Sequence, residues 1–74
     1  MPKLRVLSGK GVCKILAQNG IEKVRQKGSH TIMQKQQGHT TITIPVPDLD
    51  ELKTGTLLGV IRQSELPRLL FETK

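Results

Sequence analysis

Residues 21–46 read IEKVRQKGSHTIMQKQQGHTTITIPV, three extended runs separated by two glycine-centred breaks. From Ile21 to Lys27 the chain has an extended rather than a helical pattern. Gly28 interrupts it and suits a turn between strands. Ser29 to Lys35 reads as a second strand, and Gln36-Gln37-Gly38-His39 is a polar, glycine-bearing hairpin loop. Thr40 to Val46 is the clearest strand. Ile42 and Ile44 share one face and Thr41 and Thr43 the other, the period expected of a pleated strand with one face buried. Pro45 and Pro47 lack the donor that a ladder needs, so they are expected to end the pairing and mark an edge strand.

Helical patterns flank this stretch on both sides. Ser8 can cap a first helix in which Val12, Ile15 and Leu16 form an apolar face, and Gly20 sits where such a helix ends. Gly9 and Gly11 weaken its first turn by about 1 kcal/mol each relative to alanine, so that turn is expected to be frayed or held by tertiary contact. After the acidic run Asp48-Leu49-Asp50-Glu51-Leu52, Thr54 can cap a second helix through Gln63. Leu57, Val60, Ile61 and Ser64 give that helix its mostly apolar stripe. Pro67 can open a short last helix carrying Leu70 and Phe71. The expected class is α+β: helix, three-stranded antiparallel sheet, helix and a short C-terminal helical tail, with the helices on one face of the sheet.

At 74 residues the chain has room for one domain, residues 1–74, and one small core. Lys and Arg number 12 against 6 Asp and Glu, a formal net charge of +6, which favours a polyanionic partner. Cys13 is the only cysteine, so no internal disulfide forms, and no Cys/His group has zinc spacing. No apolar run reaches bilayer length and no signal-peptide pattern opens the chain, so a cytoplasmic location without membrane, metal or cofactor is expected. Trp and Tyr are absent and Phe71 is the sole aromatic, which argues against base-stacking platforms. If RNA is the partner, its backbone and shape are what the protein grips.

Within the opening stretch, Gly28-Ser29-His30 places an imidazole beside a glycine in a run carrying Arg25 and Lys27. Imidazole both takes and gives a proton near neutral pH, and the cations attract phosphate, the two requirements for cleaving an RNA backbone. By itself the tripeptide reads rather as an ordinary, partly exposed histidine. Arg25, Lys27 and Lys35 are the candidate phosphate-binding residues near it, with Lys10 and Lys14 on the first helix; solvated surface lysines are the alternative for each. Ser29 can orient His30, bind a phosphate oxygen or simply satisfy the turn. Concerted cleavage needs a second group besides one histidine. His39 is a candidate, in a predicted loop, and a lysine or a water serves equally. Cys13 reads as a helix-face filler rather than a nucleophile.

Taken together, several segments resemble the HicA-type (YcfA-like) mRNA interferase toxins of bacterial toxin–antitoxin pairs. They are Ser8-Gly9-Lys10, Asn19-Gly20-Ile21, Val24-Arg25-Gln26-Lys27-Gly28-Ser29-His30, Thr41-Ile42-Thr43-Ile44-Pro45, Leu52-Lys53-Thr54-Gly55-Thr56-Leu57 and Ile61-Arg62-Gln63. The resemblance covers nearly the whole chain. It implies a fold like the double-stranded-RNA-binding domain and ribosome-independent cleavage of messenger RNA with His30 essential. It also implies a HicB-type antitoxin that covers His30. The runner-up is a non-catalytic RNA-binding module of the same fold. The chain departs from the family pattern at Gly11, where many relatives carry glutamate, at Thr31, where a second histidine often occurs, at Met33, where an aromatic is usual, and at Leu58-Gly59. Met33 matches the family's buried aromatic, so its face is assigned to the core. His30, Ile32 and Gln34 then point away from the helices. Ile32 is expected to be exposed beside His30, with both contacting the antitoxin and Arg25 and Lys27 at the rim.

Overall fold

Two glycine turns fold the middle of the chain into a sheet. The computed structural model describes residues 3–73. Its elements are α1 (Gly9–Gln18), β1 (Glu22–Lys27), β2 (His30–Gln37), β3 (Thr40–Pro47) and α2 (Thr54–Ser64), followed by a short 3-10 turn over Arg68–Phe71. The sheet is antiparallel throughout, in the order β1-β2-β3. This is the expected α+β arrangement, helix, three strands, helix and a helical tail.

The core lies between the sheet and both helices. β2 and β3 contribute Met33, Ile44 and Val46; α1 contributes Val12, Ile15 and Leu16; α2 contributes Leu57, Val60 and Ile61. Ile21 and Phe71 complete the cluster with no exposed surface. Both helices therefore cover one face of the sheet and leave the other to solvent, as the two-layer logic of a small domain requires.

α1 begins as its sequence indicates. The Ser8 hydroxyl accepts from the Gly11 amide at 3.0 Å, satisfying one of the orphan donors of the first turn. Gly9 is not a weak point. Its amide donates to the Leu49 carbonyl at 2.8 Å. A Cβ at Gly9 would stand 2.1 Å from the Pro47 carbonyl oxygen, so only glycine lets α1 approach the end of β3 this closely.

α2 starts differently from the expectation. Lys53, not Thr54, takes the N-cap position, and no side chain caps the helix. The threonine falls one residue inside, at the first helical position. At its other end, the buried Ser64 hydroxyl donates to the Ile61 carbonyl at 2.8 Å and accepts from the Leu66 amide at 3.2 Å. A polar residue on an apolar stripe is tolerated because both its hydrogen-bonding roles are filled.

The prolines of β3 also correct the sequence reading. Pro45 pairs with Ile32 and Pro47 with His30, so the ladder runs through both. β3 is an edge strand, and residues two apart turn their nitrogens the same way, here toward the free edge. The Asp48 amide still donates to the Ser29 carbonyl at 2.6 Å, extending the ladder past the second proline. The segment before α1 is tied down by the tail: the Arg5 amide donates to Phe71 at 2.8 Å and the Thr73 amide to Lys3 at 2.7 Å.

Glycine-to-alanine changes test this account. Gly9→Ala is expected to lower unfolding stability by about 1–3 kcal/mol, the cost of overpacking against backbone. Gly59→Ala, in α2 with nothing near the added methyl, is expected to raise it by about 0.5–1 kcal/mol. Urea unfolding of the two variants checks both signs.

Candidate functional site

His30 opens β2 directly after a tight turn. Lys27 pairs with His30, and Gly28-Ser29 forms the connection between them. Gly28 has φ 58°, the conformation that a two-residue hairpin needs at its first central position. The turn is braced on the helix side of the sheet. There the Thr31 hydroxyl donates to Gln26 Oε1 at 3.0 Å, and Gln26 Nε2 donates to the Gly28 carbonyl at 3.3 Å. Ser29 contributes its carbonyl to the ladder with Asp48.

Alternation along β2 puts Met33 toward the helices and His30 on the opposite, outer face. His30 is exposed there. Its cross-strand neighbours are Lys27 on β1 and Pro47 on β3. One pair further along the same face, Ile32 lies between Arg25 and Pro45. Arg25 and Lys27 are thus beside His30, as expected, and both are exposed.

They reach that face through an irregularity. Lys23 pairs with Met33 and Arg25 with the adjacent Ile32, so β1 carries an extra residue, Val24, in a bulge. Without it, Ile21, Lys23, Arg25 and Lys27 would share one face, and the burial of Ile21 would turn all three cations toward the helices. The sequence held the signal. Lys27 closes the turn with His30 and must share its face, whereas Ile21, an even number of residues earlier, belongs in the core. Only a bulge reconciles the two. Gln26, which braces the turn, was missed for the same reason.

Two expectations are corrected. Ile32 does point away from the helices, but only 7% of its surface is exposed. It lies outside the main core cluster. Ile32 and Pro45 form a non-hydrogen-bonded antiparallel pair, in which side chains approach closely, so the Pro45 ring flanks the isoleucine on one side while Arg25 is its partner on the other. Lys35 is not near His30. It pairs with Ile42, a residue packed against the core, and so lies on the helix side toward the far end of β2. On α1, Lys10 and Lys14 are exposed. Lys10 follows Gly9, which abuts Pro47, the partner of His30, so it stands at the His30 end of the sheet. His39 lies in the β2–β3 turn at the other end, roughly 20 Å or more along an eight-residue strand, and is exposed.

Cys13 is partly buried. Burial pushes its thiol up, opposed by a hydrogen bond with Thr31 and by the charge of Lys23, and reinforced by Asp48. A thiol held protonated is a packing group rather than a nucleophile. Among the described residues there is no cluster of three or more His, Cys, Asp or Glu side chains able to hold a metal. No helix among them is long and apolar enough to cross a membrane.

A basic domain with two helices on one face of a three-stranded antiparallel sheet, in the order α-β-β-β-α, has the architecture of a double-stranded-RNA-binding domain. The family model of the HicA toxin of bacterial toxin–antitoxin systems matches residues 9–66. The match takes in both helices and the whole sheet, and the chain belongs to that family. No curated protein and no solved structure gives a match.

The two neighbours on the outer face are expected to respond differently to truncation. Ile32→Ala should destabilise the protein by about 2 kcal/mol, the low end for a buried isoleucine. His30→Ala should change stability by less than about 0.5 kcal/mol, as exposed substitutions do. Thermal melts of both variants decide this; equal melting temperatures would show that the cover over Ile32 contributes no stability.

Proposed function

We propose that this toxin acts by cleaving RNA, with His30 as the general acid–base group. The observation that supports the reading is the exposure of His30 on the open sheet face, paired with Lys27 and one step from Arg25, inside the segment that the family model matches. In this reading one domain, residues 1–74, carries the whole activity. His30 takes the proton of a ribose 2′-hydroxyl, and the 2′-oxygen attacks the adjacent phosphorus. The bond to the 5′-oxygen breaks, leaving a 2′,3′-cyclic phosphate and a 5′-hydroxyl. The leaving oxygen takes its proton from a water, and the hydroxide so formed recovers the proton held by His30. His39 does not serve as the second group, because it occupies the opposite end of the sheet.

Arg25 and Lys27 are the phosphate-binding residues beside His30, with Lys10 reaching the same end of the sheet and Lys14 further along α1. Lys35 drops out of this role for its face and distance, whereas the exposed Ser29 keeps its hydroxyl for a phosphate oxygen. The messenger is held by its backbone, because the outer face offers no aromatic side chain for stacking bases. The antitoxin partner, in this reading of HicB type, lies over His30 with Arg25 and Lys27 at the rim. Ile32 is too buried to anchor it, and apolar contact falls to Pro45 and Pro47.

Purified protein and the His30→Ala variant, incubated with messenger RNA, test the reading. Cleavage is expected to fall by about 10²–10⁴-fold in the variant, the usual contribution of general acid–base help. Cleavage is expected to persist in EDTA, and product ends should carry the cyclic phosphate. Binding should weaken steeply with salt, and Arg25→Ala should reduce the slope of log K against log salt by roughly 0.7–0.9. Equal RNA binding by both proteins with no cleavage by either would leave a binding module. Products with a 5′-phosphate, or recovery on adding a divalent ion after EDTA, would overturn the mechanism.

A further inference from the structure

We propose that Lys27 is a catalytic residue, a cation held on the scissile phosphate by the β1 bulge, stabilising the charge that builds on the non-bridging oxygens during cleavage. The inference rests on the reading of His30 given above and deepens it. Lys27 and His30 are direct cross-strand partners at the closing pair of a two-residue turn. Such hydrogen-bonded pairs hold their Cα atoms about 5.5 Å apart with both side chains on one face. That separation leaves room for one phosphate between an ammonium and an imidazole. Arg25 faces Ile32, one pair further along, and is therefore directed at a neighbouring phosphate instead.

Three observations show that the arrangement is built rather than incidental. First, the face of Lys27 is not what a regular strand would give. Ile21 is fully buried on the helix side, and only the extra residue Val24 turns Lys27 to the outer face. Second, the turn that sets the pair is fixed from behind by the hydrogen bonds of Gln26 with Thr31 and Gly28. Third, Lys27 makes no ion pair among the described residues. The ion pair among the described residues is Arg68 with Glu72, on the tail. A cation without a carboxylate next to it keeps its charge available to an incoming anion. Preorganised charge of this kind acts at the moment when negative charge moves onto the phosphate oxygens.

Kinetics on RNA with Lys27→Gln, Lys27→Arg and the exchange variant Gln26→Lys/Lys27→Gln test the proposal, with wild type and His30→Ala alongside. The exchange variant keeps composition and net charge and moves the lysine to the helix side. Lys27→Gln and the exchange variant are expected to lose about 10–100-fold in kcat, less than the 10²–10³ typical of an enclosed oxyanion site because this one is open to water. Lys27→Arg, which keeps the charge on the same face, is expected to stay within about threefold of wild type, since the role asks for a charge rather than a transferable proton. Melting temperatures of Lys27→Gln and Lys27→Arg should match wild type, because the side chain is exposed. If Gln26→Lys loosens the turn, Lys27→Gln alone carries the test.

A rise in KM at unchanged kcat in Lys27→Gln would reduce Lys27 to a ground-state contact and overturn the inference, while the His30 result would stand. Wild-type kcat in the exchange variant would do the same, showing that total charge suffices. No cleavage by the wild type would overturn the nuclease reading itself, and this inference with it.

Discussion

Met33, Ile44 and Val46 keep at most 1% of their surface in water, and their burial against α1 and α2 decides where every other side chain on the sheet points. Strand alternation has a period of two, so fixing Met33 inward fixes Thr31 inward and His30, Ile32 and Gln34 outward. A slip of one residue would bury the imidazole and expose the methionine. The register that gives the protein its core is thus the same register that presents its histidine. In a chain this short the two cannot be tuned separately, because there is one sheet and one core. The Gly9 contact belongs to the same constraint. It seats the start of α1 on the Pro47 carbonyl, at the end of the sheet where His30 lies.

β1 faces two demands of opposite parity. Its beginning must follow Ile21 into the core, and its end must deliver Lys27 to the outer face. The bulge at Val24 meets both, at the expense of one regular step in the ladder. It also lies on an edge strand whose residues are all exposed. A bulge and closely spaced cations make such an edge a poor template for pairing with another chain. The other edge is β3, where Pro45 and Pro47 leave no donor facing outward at those two positions. The sheet thus has different guards on its two sides, and both are made by residues that also border the histidine.

Much of this was legible in the sequence. The three strands, the Ser8 cap and the two helical faces follow from local patterns of period two or 3.6 and from the glycine turns, whereas the outward direction of His30 follows from the family resemblance that assigns Met33 to the core. The rest depends on tertiary facts that such patterns do not carry. Gly9 looked like a weak helix position because the nearness of Pro47 is a contact between segments distant in sequence. Ile32 looked exposed because no helix covers its face, yet flanking side chains from both neighbouring strands cover it. Lys35 was grouped with Arg25 and Lys27 by charge, and parity along β2 separates it from them. Thr54 lost the cap by one residue, a shift that propensity cannot resolve when the helix start is set by packing. Pro45 and Pro47 read locally as the end of a strand, yet the ladder continues through both.

An open sheet face carries no means of shutting itself off. α1, α2 and Phe71 all lie on the other side of the sheet, so none of these elements is placed to close over His30 among the described residues. In the reading proposed above, control of such a site comes from a second chain laid across it, which accords with membership of a toxin family defined by toxin–antitoxin pairs. The chemistry of the face limits what that chain can use. Ile32 is already covered, and its cross-strand neighbours are the cationic Arg25 and a proline, Pro45. A partner matching this surface gains mainly from charge opposite to the net +6 of the toxin, a surplus that also hastens encounter. In the proposed reading, the same cations that hold an RNA backbone would then be the ones neutralised, and substrate and inhibitor would compete for one electrostatic footprint.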